Sequence, residues 1–336
     1  MRRIIYLGYY LKKLDWSSYF AFLNQASKEG GSMRLILVLD SFYSVFKYNI
    51  SLLEYFQFRF YKQGAEERAT WAGTGTMYEY QRIMNPPASR GILDDKLKFH
   101  EAYKSLMRHA AASAEELAKG SLELSSLSAG KDGLIVVKEV SGKCGKGVDF
   151  VPANQFEGAR DLAKWMQAEG FDMAERFIVQ APEMQVLSPT AVNTVRIFTQ
   201  LNDEGKVEIL GCRLRISVNS KVDNLAAGNL AAELDEKTGI VIRPAVYSDI
   251  RKPNEMRHPI TGVAILGFQV PFWQETLNLV KQAALLHPQN RSIGWDIAIS
   301  AEGPVLIEGN HDWCKLLWQL PAGKGLKNEL KKYLEI

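Results

Sequence analysis

The hydrophobic and polar positions of the first ninety or so residues look mainly helical and include many aromatics, whereas further along the chain strands and helices are mixed. Residues 1–90 therefore read as a mainly helical region. Within it, Tyr55-Phe56-Gln57-Phe58-Arg59-Phe60-Tyr61 is too aromatic for a solvated helix and should be buried or lie against another lobe. About the first 25 residues have an amphipathic helical pattern, suited to packing on their own domain or to touching a partner or a membrane surface. Asn85-Pro86-Pro87 then breaks the helical run, and a boundary is placed there.

Residues 91–180 open with a charged helix at Asp94-Asp95-Lys96, with Phe99, Tyr103, Leu106 and Met107 on its apolar face. Leu134-Ile135-Val136-Val137-Lys138 reads as a strand, followed by a Gly-rich turn and a second strand at Val148 to Val151. A helix from Asp161 to Glu169 and a strand from Phe177 to Val179 complete this lobe. Residues 181–336 begin with strand Thr194 to Thr199, then a turn at Asn202-Asp203-Glu204-Gly205 and strands at Val207 to Leu210 and Leu214 to Val218. A long helix from Pro271 to Leu286 precedes a hairpin of Ile293 to Ser300 and Pro304 to Glu308, turning at Ala301-Glu302-Gly303. This mixture predicts an α+β fold of packed lobes rather than a regular βαβ array.

Length and composition narrow the function. A chain of 336 residues fits two or three lobes, and its 24% charged residues are ordinary for a globular protein. The net charge of +3 is too small for a concentrated nucleic-acid-binding face, though it allows a local phosphate pocket. Cys144, Cys212 and Cys314 are widely spaced and odd in number, which favours a reducing, cytoplasmic setting over a disulfide framework. His311 and Cys314 lack the second pair that a structural zinc site needs. No segment approaches the roughly 20 apolar residues of a membrane span.

Three constellations carry candidate chemistry. Lys138 ends an apolar strand and leads into Ser141-Gly142-Lys143-Cys144-Gly145-Lys146-Gly147, where glycines let backbone N–H groups approach an anion and lysines add charge. This fits a mobile phosphate flap, or a solvated surface hairpin, and it is not a Walker A loop. Asp296 and Glu308 lie on strands joined by a hairpin turn, and Asn310 follows Glu308 by two residues. Two carboxylates and an amide oxygen are hard ligands suited to Mg²⁺, or else sheet carboxylates paired with Lys or Arg. Asn193, Arg196, Arg213, Arg215 and Asp223-Asn224 are polar groups on or beside apolar strands, where arginine serves as an anion clamp or a structural ion pair. Glu208 and Glu233 are the sheet carboxylates available for such a pair.

In this order the pieces resemble the ATP-grasp superfamily, and further stretches resemble its sugar-transfer-associated branch. These include Tyr55-Phe56-Gln57-Phe58 through Glu67-Arg68, Asp95-Lys96, Val192-Asn193-Thr194-Val195-Arg196, His258-Pro259-Ile260-Thr261-Gly262 and Gly294-Trp295-Asp296. The resemblance implies two α+β lobes clasping ATP (91–180 and 181–336) behind the helical extension. It implies nucleotide contacts from Lys96, Lys138 and the flap residues Ser141, Gly142, Lys143, Gly145 and Lys146. Glu175-Arg176-Phe177-Ile178 would be the hinge whose backbone reads adenine, with Glu183 toward ribose. Arg196 and Arg215 would face the γ-phosphate and substrate, and Asp296, Glu308 and Asn310 would hold Mg²⁺. The expected activity is carboxylate–amine ligation through an acyl phosphate, with small-molecule, sugar-linked acids or amines as substrates in surface-polysaccharide synthesis. An ATP-dependent small-molecule or sugar kinase and a non-catalytic nucleotide-binding module are the alternatives. Two departures from the family pattern lie on the substrate side: Asn229 stands where a second glycine is usual after Gly228, and His311-Asp312-Trp313 follows Asn310.

Overall fold

The structure, a computed structural model, describes residues 12, 14–130, 132–140 and 147–334. Helices Trp16–Gly30 and Arg34–Tyr48 form an antiparallel pair over the aromatic stretch. Asp15 starts the first by accepting from the Ser18 N–H, and Gly31 ends it in the left-handed region at φ 64°. Ser51 and Glu54 form a capping box on helix Leu52–Gln57. Tyr55, Phe56, Phe58 and Phe60 are essentially fully buried, packed with Tyr19, Phe22, Leu37 and Tyr48 and against Ile250 of the second half.

Helix Thr74–Met84 carries this region onto the C-terminal lobe. Met77, Tyr80 and Met84 share one cluster with Phe198, Leu210, Trp313, Trp318 and Tyr333. At the expected break, buried Asn85 donates to the Ser292 carbonyl at 2.7 Å and the His311 carbonyl at 3.0 Å, and accepts from the Ser292 N–H at 3.1 Å. The proline turn is thus bonded to the sheet on both its donor and acceptor sides.

The smaller sheet contains β1 (Ala111–Ser113), β2 (Leu134–Lys138), β3 (Val148–Pro152) and β4 (Met173–Arg176), all antiparallel in the order β1-β4-β2-β3. Helix Ala159–Glu169 covers one face with Leu162, Ala163 and Met166. Two expectations need correction here. The strand assigned to Phe177–Val179 is Met173–Arg176, because β4 is held between β1 and β2 and its pairing stops at Arg176. The charged helix is short, Lys96–Ala102, followed by a single 3-10 turn at Lys104–Leu106. The chain then enters β1, which had no visible signal because three small residues have no period to read.

The larger sheet runs β7 (Leu230–Leu234), β6 (Val207–Ile216), β5 (Thr194–Leu201), β8 (Ser292–Ser300) and β9 (Gly303–Asn310). Val207–Leu210 and Leu214–Val218 prove to be parts of one strand, β6. It runs through Gly211 at φ 143°, with a register shift opposite Phe198/Thr199. Val195, Ile197, Cys212, Leu214, Trp295 and Ile297 pack toward helix Trp273–Leu286. By strand alternation Arg196, Phe198, Arg213, Arg215 and Asp296 project to the opposite face.

Candidate functional site

One wall of the interlobe cleft is built on the smaller sheet. Val136 lies opposite Glu175 and Lys138 opposite Met173, so the Lys138 and Glu175 side chains meet diagonally across β2 and β4. Lys138 Nζ donates to Glu175 Oε2 at 2.5 Å. Burial alone would raise the Glu175 pKa, but the Lys138 ammonium and His109 beside it outweigh burial and hold it well below the usual carboxylate range. His109 Nε2 sits 3.6 Å from the same oxygen, an electrostatic neighbour rather than a hydrogen-bond partner. Lys96 opens helix Lys96–Ala102, whose N-cap Asp95 accepts from the Lys98 N–H. Its Nζ donates to the Glu139 carbonyl at 2.7 Å and to the Val140 carbonyl at 3.3 Å. Burial lowers the Lys96 pKa, opposed by the nearby Glu308 carboxylate.

The facing wall belongs to β5, β6, β8 and β9. Asp296 pairs directly with Glu308 across the hairpin, and a bulge follows between Asp296 and Ile297. The Arg196 guanidinium donates to both Asp296 oxygens through Nε and Nη2, the latter at 2.7 Å. Arg215 Nη1 donates to Asp296 Oδ2 at 2.7 Å, and its Nη2 lies 2.7 Å from Asp223 Oδ1. Glu208 and Glu233 are therefore not the partners of these arginines. Glu208 meets Lys332 and Tyr333, and Glu233 meets Arg243 and the edge of Arg213. Arg215 Nε is buried without a hydrogen-bond partner among the described residues.

Burial works against ionised Asp296, yet the two guanidinium groups keep its pKa below the ordinary aspartate value. Glu308 shifts the other way: burial and the like charge of Asp296 raise it. Asn310 Nδ2 donates to Glu308 Oε1 at 3.0 Å, leaving the Asn310 carbonyl oxygen as a further hard donor. Among the described residues no group of three or more His, Cys, Asp or Glu side chains gathers as a metal cluster. Two carboxylates with an amide nevertheless fit Mg²⁺, which takes one or two protein carboxylates and fills its shell with phosphate and water. A divalent cation there would relieve the repulsion that raises Glu308. Asp296 Oδ2 accepts from both arginines, whereas of the two only Arg196 donates to Oδ1, which keeps a lone pair.

Lys96, Lys138, Glu175 and Glu308 line one cavity with Leu93, Phe99, Met107, Ile307 and Gly309. Its volume is only about 30 Å³, room for a water molecule or two. Phe177 lies just outside β4, where its N–H donates to the Leu127 carbonyl and its ring meets Phe150 edge-on. Ile178 follows it, half-buried. Glu183 is exposed on helix Pro182–Leu187 and does not line the cavity. Ser141, Gly142, Lys143, Gly145 and Lys146 lie outside the described residues; on either side of them, the Glu139 N–H donates to the Gly147 carbonyl at 2.8 Å. The two departures have structural roles. Asn229 accepts from the Val218 N–H and donates to the Val222 and Asn224 carbonyls, closing the loop that holds Asp223. His311 Nε2 meets Asp94 Oδ1 at 3.0 Å, joining the end of β9 to the segment before Lys96. His109 went unnoticed in the sequence, since nothing near it in the chain points toward Glu175.

Two antiparallel sheets facing across a cleft, with lysines on one wall and carboxylates on the other, define an ATP-grasp fold. The sequence matches the family described as sugar-transfer associated ATP-grasp over residues 76–334, and the chain belongs to that family. No curated protein matches it in sequence. Among solved structures it is similar to an L-amino acid ligase from Bacillus licheniformis, at 13% identity and a TM-score of 0.41, covering 74% of this chain and 49% of the other. Biotin carboxylase from Campylobacter jejuni aligns at 14% identity and a TM-score of 0.42, over 73% of this chain and 46% of the other. D-alanyl-alanine synthetase A from Vibrio cholerae O1 biovar eltor aligns at 10% identity and 0.37, over 74% and 63%. The chain spans about half the length of the first two.

Proposed function

We propose that this protein is an ATP- and Mg²⁺-dependent ligase that joins a carboxylic acid to an amine, acting on a sugar acid, amino sugar or amino acid in surface-polysaccharide synthesis. The observation that carries this reading is the pairing of Asp296 with Glu308, beside Asn310, with Glu308 lining the cavity that Lys96 and Lys138 also line. The family's description supports the sugar-linked substrate. The working setting is the cytoplasm, where ATP is available.

On this reading Lys96 and Lys138 exchange the Glu139 carbonyl and Glu175 for phosphate oxygens of ATP. Asp296, Glu308 and Asn310 hold Mg²⁺, which when bound offsets charge on the phosphate oxygens. Arg196 and Arg215 fix Asp296 beside the place proposed for the γ-phosphate and an anionic substrate. The substrate carboxylate takes the γ-phosphoryl group as ADP leaves, and the amine displaces phosphate from the acyl carbon and loses a proton. No side-chain nucleophile is required, so the protein's contribution is positioning and charge. The test is ADP release from ATP with panels of acids and amines. ADP is expected only when both are present, and Glu308→Gln should abolish turnover while weakening ATP binding much less. Steady ADP release with an acid or a sugar alone, giving a stable phosphorylated product, would overturn the ligase in favour of a kinase.

A further inference from the structure

The helix Arg34–Tyr48 carries apolar residues on both faces, with Leu37, Val45 and Tyr48 buried against the protein. Ser41, Ser44 and the partly buried Asp40 face the protein, where Arg68 binds Asp40 at 2.8–2.9 Å and Tyr55 donates to it at 2.7 Å. The outward stripe is apolar: Leu35 is 67% exposed, Leu39 63%, Tyr43 54%, and Ile36 flanks them. These positions follow helical spacing and leave no charge on the stripe between Leu35 and Tyr43. Met33 in the preceding turn is exposed too, and Trp16 and Phe20 form an exposed stacked pair on the neighbouring helix. Single exposed apolar residues are ordinary, but a contiguous set at this density marks an interaction surface.

Charge selects among occupants. The two helices carry three basic residues, Lys28, Arg34 and Lys47, and two acidic ones, Glu29 and Asp40. Both acids are already neutralised within the protein, Glu29 by Arg59 and Lys62 and Asp40 by Arg68. Exposed Arg34 and Lys47 stand at the two ends of the apolar stripe, and Lys47 Nζ lies 5.3 Å from the Tyr43 ring centroid. Pairing of this helix with a second copy would set basic ends against basic ends in either direction, so self-association is disfavoured. An anionic lipid surface meets both features at once, taking the apolar stripe at the acyl boundary and the basic ends among headgroups. Trp16 and Tyr43, each with an apolar body and a polar tip, suit that interface.

We infer that the helix pair Trp16–Gly30 and Arg34–Tyr48 is a docking face for an anionic membrane surface, lying on the bilayer without crossing it. No helix among the described residues is long and apolar enough to span one. The test is cosedimentation of the full chain with vesicles of phosphatidylcholine alone or mixed with phosphatidylglycerol. Binding is expected with the mixed vesicles and should weaken with added salt. Leu39→Glu should lower it about tenfold or more with the melting temperature unchanged. Arg34→Ser with Lys47→Ser should reduce the preference for phosphatidylglycerol. Wild-type protein remaining in solution with both vesicle types would overturn the inference. So would equal binding by Leu39→Glu, or a dimer in solution that Leu39→Glu dissolves while vesicles capture nothing. A large fall in melting temperature for Leu39→Glu without vesicle binding would assign the stripe to burial within the protein.

Discussion

Arg215 reaches two carboxylates at once, Asp296 and Asp223, and Arg196 takes both oxygens of Asp296. All four side chains are more than nine-tenths buried. Removing one partner of such a buried set leaves an uncompensated charge, which costs about 3–5 kcal/mol. Lysine at 215 keeps the charge but cannot span both carboxylates with a planar fork. Arg215→Lys should therefore lose about 1–3 kcal/mol of stability, a fall of several degrees in Tm, and should also lower kcat in the folded fraction. Calorimetry alongside turnover checks this, and an unchanged Tm would show that the ion pairs are not what holds Asp296. The sequence marked both arginines because a guanidinium on an apolar strand must have a partner. It did not reveal the partner, because Asp296 and Asp223 come from separate parts of the chain and converge only through the order of β5, β6 and β8.

Among elements, β4 matters most to the lysine wall, since it is held by both β1 and β2 and presents Glu175 to Lys138. Glu175 has a depressed pKa, with burial overcome by Lys138 and His109. A carboxylate depressed in the folded state adds stability that is present above its unfolded pKa, near 4.5, and is lost as pH falls through the folded value. Glu175→Gln should thus melt below wild type at pH 7, and the gap should narrow as pH drops below about 4.5. Melting curves across that range check the sign. A gap that stays constant would mean that packing, not the ion pair, sets the cost. β2, read from its continuous apolar run, and β5, β8 and β9 were legible in the sequence to within a residue or two. β1 and the true extent of β4 were not, because short strands are fixed by their neighbours rather than by their own pattern. The Asp296–Glu308 pair was legible because a short hairpin turn fixes register.

At the scale of the molecule, the N-terminal helices share their apolar clusters with the C-terminal lobe, while the smaller sheet has a core of its own. The break at Asn85-Pro86-Pro87 is plain in the sequence, but the packing across it depends on side chains hundreds of positions apart, such as Met84 and Tyr333. The cavity bounded by Lys96, Lys138, Glu175 and Glu308 holds only about 30 Å³, room for water rather than a nucleotide. On the proposed function this cleft transfers phosphoryl from ATP to a carboxylate and then makes an amide. The most direct test follows a heavy-oxygen label in the carboxyl group of an acid that supports ADP release with an amine. One labelled oxygen is expected in the inorganic phosphate, with a product of the mass of acid plus amine less water, and neither signal is expected with Glu308→Gln. Unlabelled phosphate, or phosphate retained in a stable product, would contradict the proposed function.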